Sequence, residues 1–261
     1  GRTTLSRSIT AFIKSSPIQY VVDPRTATVD TDRQADRIFT SLPDLQGVIQ
    51  SDDWISTWNK VSERTKKLVV SLDGWNEAVI ARTIAAAIPN ETALFVSSSR
   101  PIRDLEGFAL PRAGVDTYAN RGLAGIDGNI STALGIAYAH KATIAILGDL
   151  SFLYDLTGLI NKEAINCRFI VINNDGGGIF STLPQRGSHG FETVFGTPHG
   201  LNPAEIAKAM GVSAQQISSL KELEAAVKAP VTGISVVVCD VPDRESNADN
   251  LKAIYDSLNS M

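Results

Sequence analysis

A chain of 261 residues that is 43% hydrophobic and 20% charged has the profile of an ordinary globular protein, large enough for a sizeable core. Its net charge of −4 and pI near 5.4, with acids and bases mixed along the chain, exclude the basic stripe that a nucleic-acid binder needs. No stretch approaches the ~18 apolar residues of a membrane span, so membrane insertion is not expected.

The opening, Gly1-Arg2-Thr3-Thr4-Leu5, has no initiator methionine and no signal-peptide pattern, which suggests an excised or processed fragment. Leu5 to Lys14 carries apolar residues at helical spacing, and Ile18 to Val22 is a compact strand candidate. Thr26 to Gln50 is less regular, with a short strand suggested around Gly47-Val48-Ile49. Trp54, Ile55, Trp58 and Val61 then mark one face of a long amphipathic helix running to about Lys66. Residues 1–66 therefore read as the end of one smaller α/β domain plus a connecting helix, and residues 67–261 as a second domain.

That second part alternates helices with apolar strands. Trp75 to Ala87 is an alanine-rich helix and Ala93 to Val96 a strand. Asn129 to Ala139 is a helix, Thr143 to Leu147 a strand, Ser151 to Lys162 a helix and Arg168 to Ile172 a strand. Ala204 to Met210 and Leu220 to Val227 are helical, Ile234 to Cys239 is a strand, and Asn247 to Leu258 closes the chain as a helix. Continuous apolar strands alternating with helices predict an α/β fold, a doubly wound, mostly parallel sheet covered on both faces. The two cysteines, Cys167 and Cys239, each adjoin a β-branched apolar run and are expected to be buried, reduced thiols, as suits a cytoplasmic protein.

Gly148-Asp149-Leu150-Ser151 follows the strand at Thr143, and Asn173-Asn174-Asp175-Gly176-Gly177-Gly178 follows the strand at Arg168. The intervening chain holds a helix and a return strand, as a parallel crossover requires, so Asp149 and Asn174 emerge at the carboxyl ends of two strands, expected to be neighbours. A carboxylate, an amide oxygen and a backbone carbonyl at Gly176 suit a hard cation such as magnesium. Gly176 to Gly178 would let the main chain approach a bulky ligand. A helix starting near Ser151 would aim free amides at the same place. Together these predict a site for a metal-bound diphosphate.

The pair resembles the motif of thiamine-diphosphate enzymes, which begins Gly-Asp-Gly and ends Asn-Asn. Leu150 stands where most members have glycine. That departure is similar to one branch, the 2-succinyl-5-enolpyruvyl-6-hydroxy-3-cyclohexene-1-carboxylate synthases of menaquinone biosynthesis. Asn120-Arg121-Gly122-Leu123-Ala124-Gly125-Ile126-Asp127-Gly128, Ser151-Phe152-Leu153-Tyr154-Asp155 and Gly178-Ile179-Phe180-Ser181-Thr182-Leu183-Pro184 resemble the same branch. The resemblance implies thiamine diphosphate with Mg2+ or Mn2+ held by Asp149, Asn174 and the Gly176 carbonyl. It implies cofactor contacts from Ser98, Ile126, Gly148, Leu150, Ser151, Gly177, Ile179 and Phe180, with Ile126 as the wedge that bends the cofactor. Ser99, Arg103 and Arg121 match positions that hold the carboxylates of 2-oxoglutarate and isochorismate, for which guanidinium forks are well suited.

The implied reaction decarboxylates 2-oxoglutarate and adds the succinyl unit to isochorismate, with the cofactor as electron sink. The glutamate that activates the cofactor belongs, in the family, to an N-terminal domain not represented here, so no catalytic acid or base is assigned within this chain. The family's site lies between domains of different subunits, which implies a homo-oligomer, dimer or tetramer, and little activity for this chain alone. His189 and His199 lie in the Gly- and Pro-containing stretch Gln185 to Leu201, which could form a lid. They lack metal-ligand spacing and read as ordinary residues. Three rivals stand beside this reading. One is another thiamine-dependent enzyme, such as an acetolactate synthase or a decarboxylase. Another is a nucleotide-binding module, although no Gly-x-Gly-x-x-Gly opens a βαβ unit. The third is a purely structural oligomerisation domain.

Overall fold

The computed structural model describes residues 7–25, 34–44, 51–121, 125–161 and 163–260, and the chain divides into two compact units, one up to Ser62 and one from Glu63 onward. In the first unit, helix α1 (Arg7–Ser15) precedes strand β1 (Tyr20–Val22), which pairs in parallel with β2 (Arg37–Phe39). Three residues are too few to show periodicity, so β2 leaves no signal in the sequence. The suggested strand at Gly47 to Ile49 lies outside the described residues. Helix α2 (Asp52–Ser71) extends beyond Lys66 because Leu68 and Val69 continue its apolar pattern. Val69 is buried with Ala78, Phe108, Leu251 and Ile254 in the second unit's core. The tryptophan face at the other end of the helix stays largely exposed, with Trp58 meeting Phe12 edge-on at 5.9 Å between ring centres.

The second unit is a six-stranded, wholly parallel sheet with helices on both faces. In chain order it comprises α3 (Glu77–Ala87), β3 (Ala93–Val96), α4 (Arg100–Phe108), β4 (Thr117–Tyr118), α5 (Asn129–Ala139), β5 (Thr143–Gly148), α6 (Asp149–Leu153) and β6 (Cys167–Asn173). α7 (Pro203–Ala209), β7 (Ser213–Ile217), α8 (Leu220–Lys228), β8 (Ile234–Asp240) and α9 (Arg244–Asn259) follow. The spatial order is β4-β3-β5-β6-β8-β7. β5 and β6 are hydrogen-bonded neighbours, with Gly148 opposite Ile172.

Alternate residues of each strand enter opposite cores, as the pleat demands. Ala145, Leu147, Phe169 and Val171 pack with α5, α6 and α7, while Ile144, Ile146, Ile170 and Ile172 pack with α3 and α8. Polar side chains cap the helix starts. Asn76 accepts from the Val79 amide at 3.1 Å to open α3. At α8 the Glu222 amide donates to Ser219 Oγ at 3.3 Å, while the Glu222 carboxylate reaches back to accept from the Ser218 amide at 3.2 Å. The edge strand β7, Ser-Ala-Gln-Gln-Ile, is too polar to stand out as a strand in the sequence. The helix expected from Ser151 to Lys162 is much shorter. It ends at Leu153, and a 3₁₀ turn covers Leu156–Leu159. Asp155 turns aside to accept from the Ser131 amide at 2.7 Å and its hydroxyl at 3.2 Å, committing its carboxylate to the first turn of α5. Among the described residues no helix is long and apolar enough to cross a membrane.

Candidate functional site

The chain runs from β3 outward to β4, then returns to the other side of β3 at β5. The strand order thus reverses between β3 and β5, the place where open α/β sheets form a crevice at their carboxyl ends. A cavity of about 370 Å³ opens there. From the segment after β3 come Ser98, Ser99 and Arg103, and from before α5 come Arg121 and Ile126. From the last residue of β5 and the segment after it come Gly148, Asp149, Leu150 and Ser151, and from after β6 come Asn174, Gly176, Gly177, Ile179 and Phe180. The structure therefore gathers every candidate metal, cofactor and substrate residue named from the sequence around one cavity. Residues 122–124, part of one resemblance segment, lie outside the described residues.

Asp149 is buried, 2% exposed, and its carboxylate is well supplied with donors. It accepts from the backbone amides of Leu150 at 2.6 Å, Gly176 at 2.8 Å and Asn174 at 3.2 Å. Asn174 donates its side-chain nitrogen to Glu77 Oε1 at 2.6 Å, while its Oδ1 is buried with no protein partner. An orphaned amide oxygen beside a buried carboxylate fits the donor set of a hard cation. The Gly176 carbonyl accepts from the Gly178 amide at 3.0 Å and keeps a second lone pair. Among the described residues no group of three or more His, Cys, Asp or Glu gathers as a metal site, so a cation here would draw on this mixed oxygen set.

Two expectations about the loop change in detail. Gly176 and Gly177 are required by the protein's own backbone, and Gly178 by a side chain. A Cβ on Gly176 would collide with the Gly196 carbonyl oxygen, one on Gly177 with that of Phe195, and one on Gly178 with Asn174 Nδ2. Helix α6 begins at Asp149 itself and has five residues, so the long helix dipole expected behind Ser151 is absent. Ser151 is instead engaged locally, accepting from Asn129 Nδ2 at 2.8 Å and donating to the Ile126 carbonyl at 3.2 Å. Asn129 also donates to that carbonyl at 2.7 Å, so Ile126 is held from two sides. Ser99 adopts a left-handed backbone, φ 73°, at the cavity rim, and accepts through its carbonyl from Arg103 Nη1 at 2.7 Å.

His199, an ordinary residue by its sequence context, proves to be placed at the site, with its Nε2 3.3 Å from Asp149 Oδ2. The Leu201 amide donates to its Nδ1 at 3.0 Å, so the neutral ring carries its proton on Nε2 and donates it to Asp149. That hydrogen bond raises the His199 pKa above the usual imidazole value. Glu77, Arg100 and Asp104 also border the site without having been candidates from the sequence. Arg100 binds the Asp104 carboxylate, and its Nε lies 3.6 Å from Glu77 Oε2. Burial pushes Glu77 upward against the pull of Arg100, and pushes Asp104 up to about 7. The four-residue spacing of Arg100 and Asp104 is a legible helical ion pair. Glu77 looks in sequence like any acid in a first helical turn.

Residues 108–241 match the family model "Thiamine pyrophosphate enzyme, C-terminal TPP binding domain". A 2-succinyl-5-enolpyruvyl-6-hydroxy-3-cyclohexene-1-carboxylate synthase of Thermobifida fusca (strain YX) is 36% identical over 87% of this chain and 43% of its own length. The synthase of the same name from Bacillus cytotoxicus is 33% identical over 95% of this chain and 45% of its own. The chain thus spans under half the length of these curated relatives. Among solved structures, the Rhodococcus jostii RHA1 thiamine diphosphate-dependent 4-hydroxybenzoylformate decarboxylase superposes with a TM-score of 0.56 at 18% identity, covering 67% of this chain and 34% of that one, a likeness of fold. The family match covers the strands that carry Asp149 and Asn174 and extends over half of the chain, which therefore belongs to the thiamine pyrophosphate enzymes through their C-terminal TPP binding domain.

Proposed function

We propose that this chain forms the diphosphate- and metal-binding part of a 2-succinyl-5-enolpyruvyl-6-hydroxy-3-cyclohexene-1-carboxylate synthase, acting on 2-oxoglutarate and isochorismate. The observation that carries the reading is the meeting of Asp149 with Asn174 at adjacent strand ends, where Asn174 Oδ1 is buried and unpartnered. The names of the relatives support the substrate assignment.

In this proposal Asp149, Asn174 and the Gly176 carbonyl hold Mg2+ or Mn2+, and the cation holds the diphosphate. Ser98, Gly148, Leu150, Ser151 and Gly177 shape the cofactor cavity. Ile126, Ile179 and Phe180 supply apolar wall that excludes water from the reacting end. Ser99, Arg103 and Arg121 bind and orient substrate carboxylates. The bound cofactor supplies an electron sink for decarboxylation. No group of this chain is assigned as the catalytic acid or base. Residues 1–66 are proposed as the end of a central α/β domain plus a connecting helix, and the working enzyme as a cytoplasmic homo-oligomer.

Calorimetric titration of thiamine diphosphate into the chain, with magnesium and again with EDTA, tests the assignment. Binding is expected only with metal, and is expected to be lost in Asp149→Asn, which keeps size but removes charge. Equal binding in EDTA refutes the metal site. Supplying the N-terminal part of a relative and comparing 2-oxoglutarate with pyruvate separates this reading from other thiamine-dependent enzymes.

A further inference from the structure

We propose that Glu77 is a positioning residue for Asn174, fixing which end of the amide faces the cation; this rests on the metal reading above. An asparagine side chain presents an acceptor oxygen and a donor nitrogen that are interchangeable in shape but opposite in function. Only the oxygen can ligate a cation. A freely rotating Asn174 would spend part of its time presenting the wrong end.

The geometry removes that freedom. Glu77 Oε1 accepts from the nitrogen of Asn174 at 2.6 Å, which leaves Oδ1 facing the other way, buried and unpartnered. Glu77 is in turn held by Arg100, whose Nε stands 3.6 Å from its Oε2, and Arg100 is anchored by Asp104 one helical turn along α4. Three side chains from α3 and α4, each about nine-tenths buried, thus support one amide from the end of β6. Partners of this kind around a metal ligand typically change metal affinity about 10–100-fold when removed.

The test is Mg2+ affinity of the full chain in the presence of a fixed excess of thiamine diphosphate, measured by calorimetry, with the melting temperature of each metal-free variant recorded beside it. Glu77→Met, similar in length but without an acceptor, is expected to weaken Mg2+ binding about 10–100-fold. Glu77→Gln, which retains an acceptor oxygen, is expected to fall between Glu77→Met and the unsubstituted chain. Glu77→Asp keeps the charge for Arg100 but withdraws the acceptor by one methylene, and provides the measurement if Glu77→Met does not fold; it too is expected to bind Mg2+ more weakly. Unchanged affinity in Glu77→Met or Glu77→Asp, or Glu77→Gln as weak as Glu77→Met, overturns the proposal. Metal-independent cofactor binding by the unsubstituted chain overturns the metal reading itself, and so distinguishes the two failures.

Discussion

Replacing Asp149 by alanine removes more than a candidate metal ligand. The carboxylate accepts from three backbone amides and from His199. Leu150 is half-buried and its amide can turn to water, but Asn174 and Gly176 are buried and theirs cannot. Leaving two buried donors unsatisfied costs roughly 1–3 kcal/mol each, or about 2–6 kcal/mol together. For a unit of this size each kcal/mol lowers the melting temperature by about 2–4 °C, so Asp149→Ala should melt at least about 4 °C lower without any metal present. Asp149→Asn retains one acceptor oxygen and should lose less stability while losing the charge a cation needs. Differential scanning calorimetry of metal-free protein, followed by magnesium titration, separates the two roles. An Asp149→Ala variant that melts with the unsubstituted protein would refute the reasoning, because the amides would then not depend on this carboxylate.

Gly177→Ala drives a methyl into the Phe195 carbonyl oxygen, so the loop and the π-helical turn at Glu192–Gly196 must separate; a loss of about 1–3 kcal/mol in urea denaturation is expected. Arg168 reaches from β6 to the carbonyls of Ala226 at 2.6 Å, Ala229 at 2.8 Å and Pro230 at 2.9 Å, closing the end of α8. Arg168→Met should therefore destabilise the fold by about 1.5–3 kcal/mol, read by the same denaturation. Cys167 and Cys239 are buried free thiols, and burial pushes Cys167 up to about 12. Neither should react with a thiol reagent in the native protein at neutral pH, and both should label on unfolding; rapid native labelling would contradict the packing.

The sheet and much of the site can be read from the chain's residues because both follow local rules. Apolar runs such as Thr143 to Leu147 and Arg168 to Ile172 mark buried parallel strands, and the residues that follow each run must lie on the sheet's carboxyl rim. Spacing alone therefore places Asp149 and Asn174 together, and the resemblance supplies a chemistry for them. Short elements escape: β2 and β4 are too brief for periodicity, and the polar β7 lacks an apolar pattern.

What the side chains meet is a matter of packing. The helix after Asp149 stops at Leu153, and Asp155 beyond it gives its carboxylate to Ser131, 24 residues away in sequence. His199 approaches Asp149 from a loop with no regular spacing to it, and Glu77 meets Asn174 from a helix 97 residues away. Hydrogen bonds between such distant partners depend on the packed position of whole elements, and no local pattern encodes them. Residue order was enough to say which strands carry the candidate ligands. Which groups support those ligands emerged only on folding, because that support comes from contacts made across the rim of the sheet.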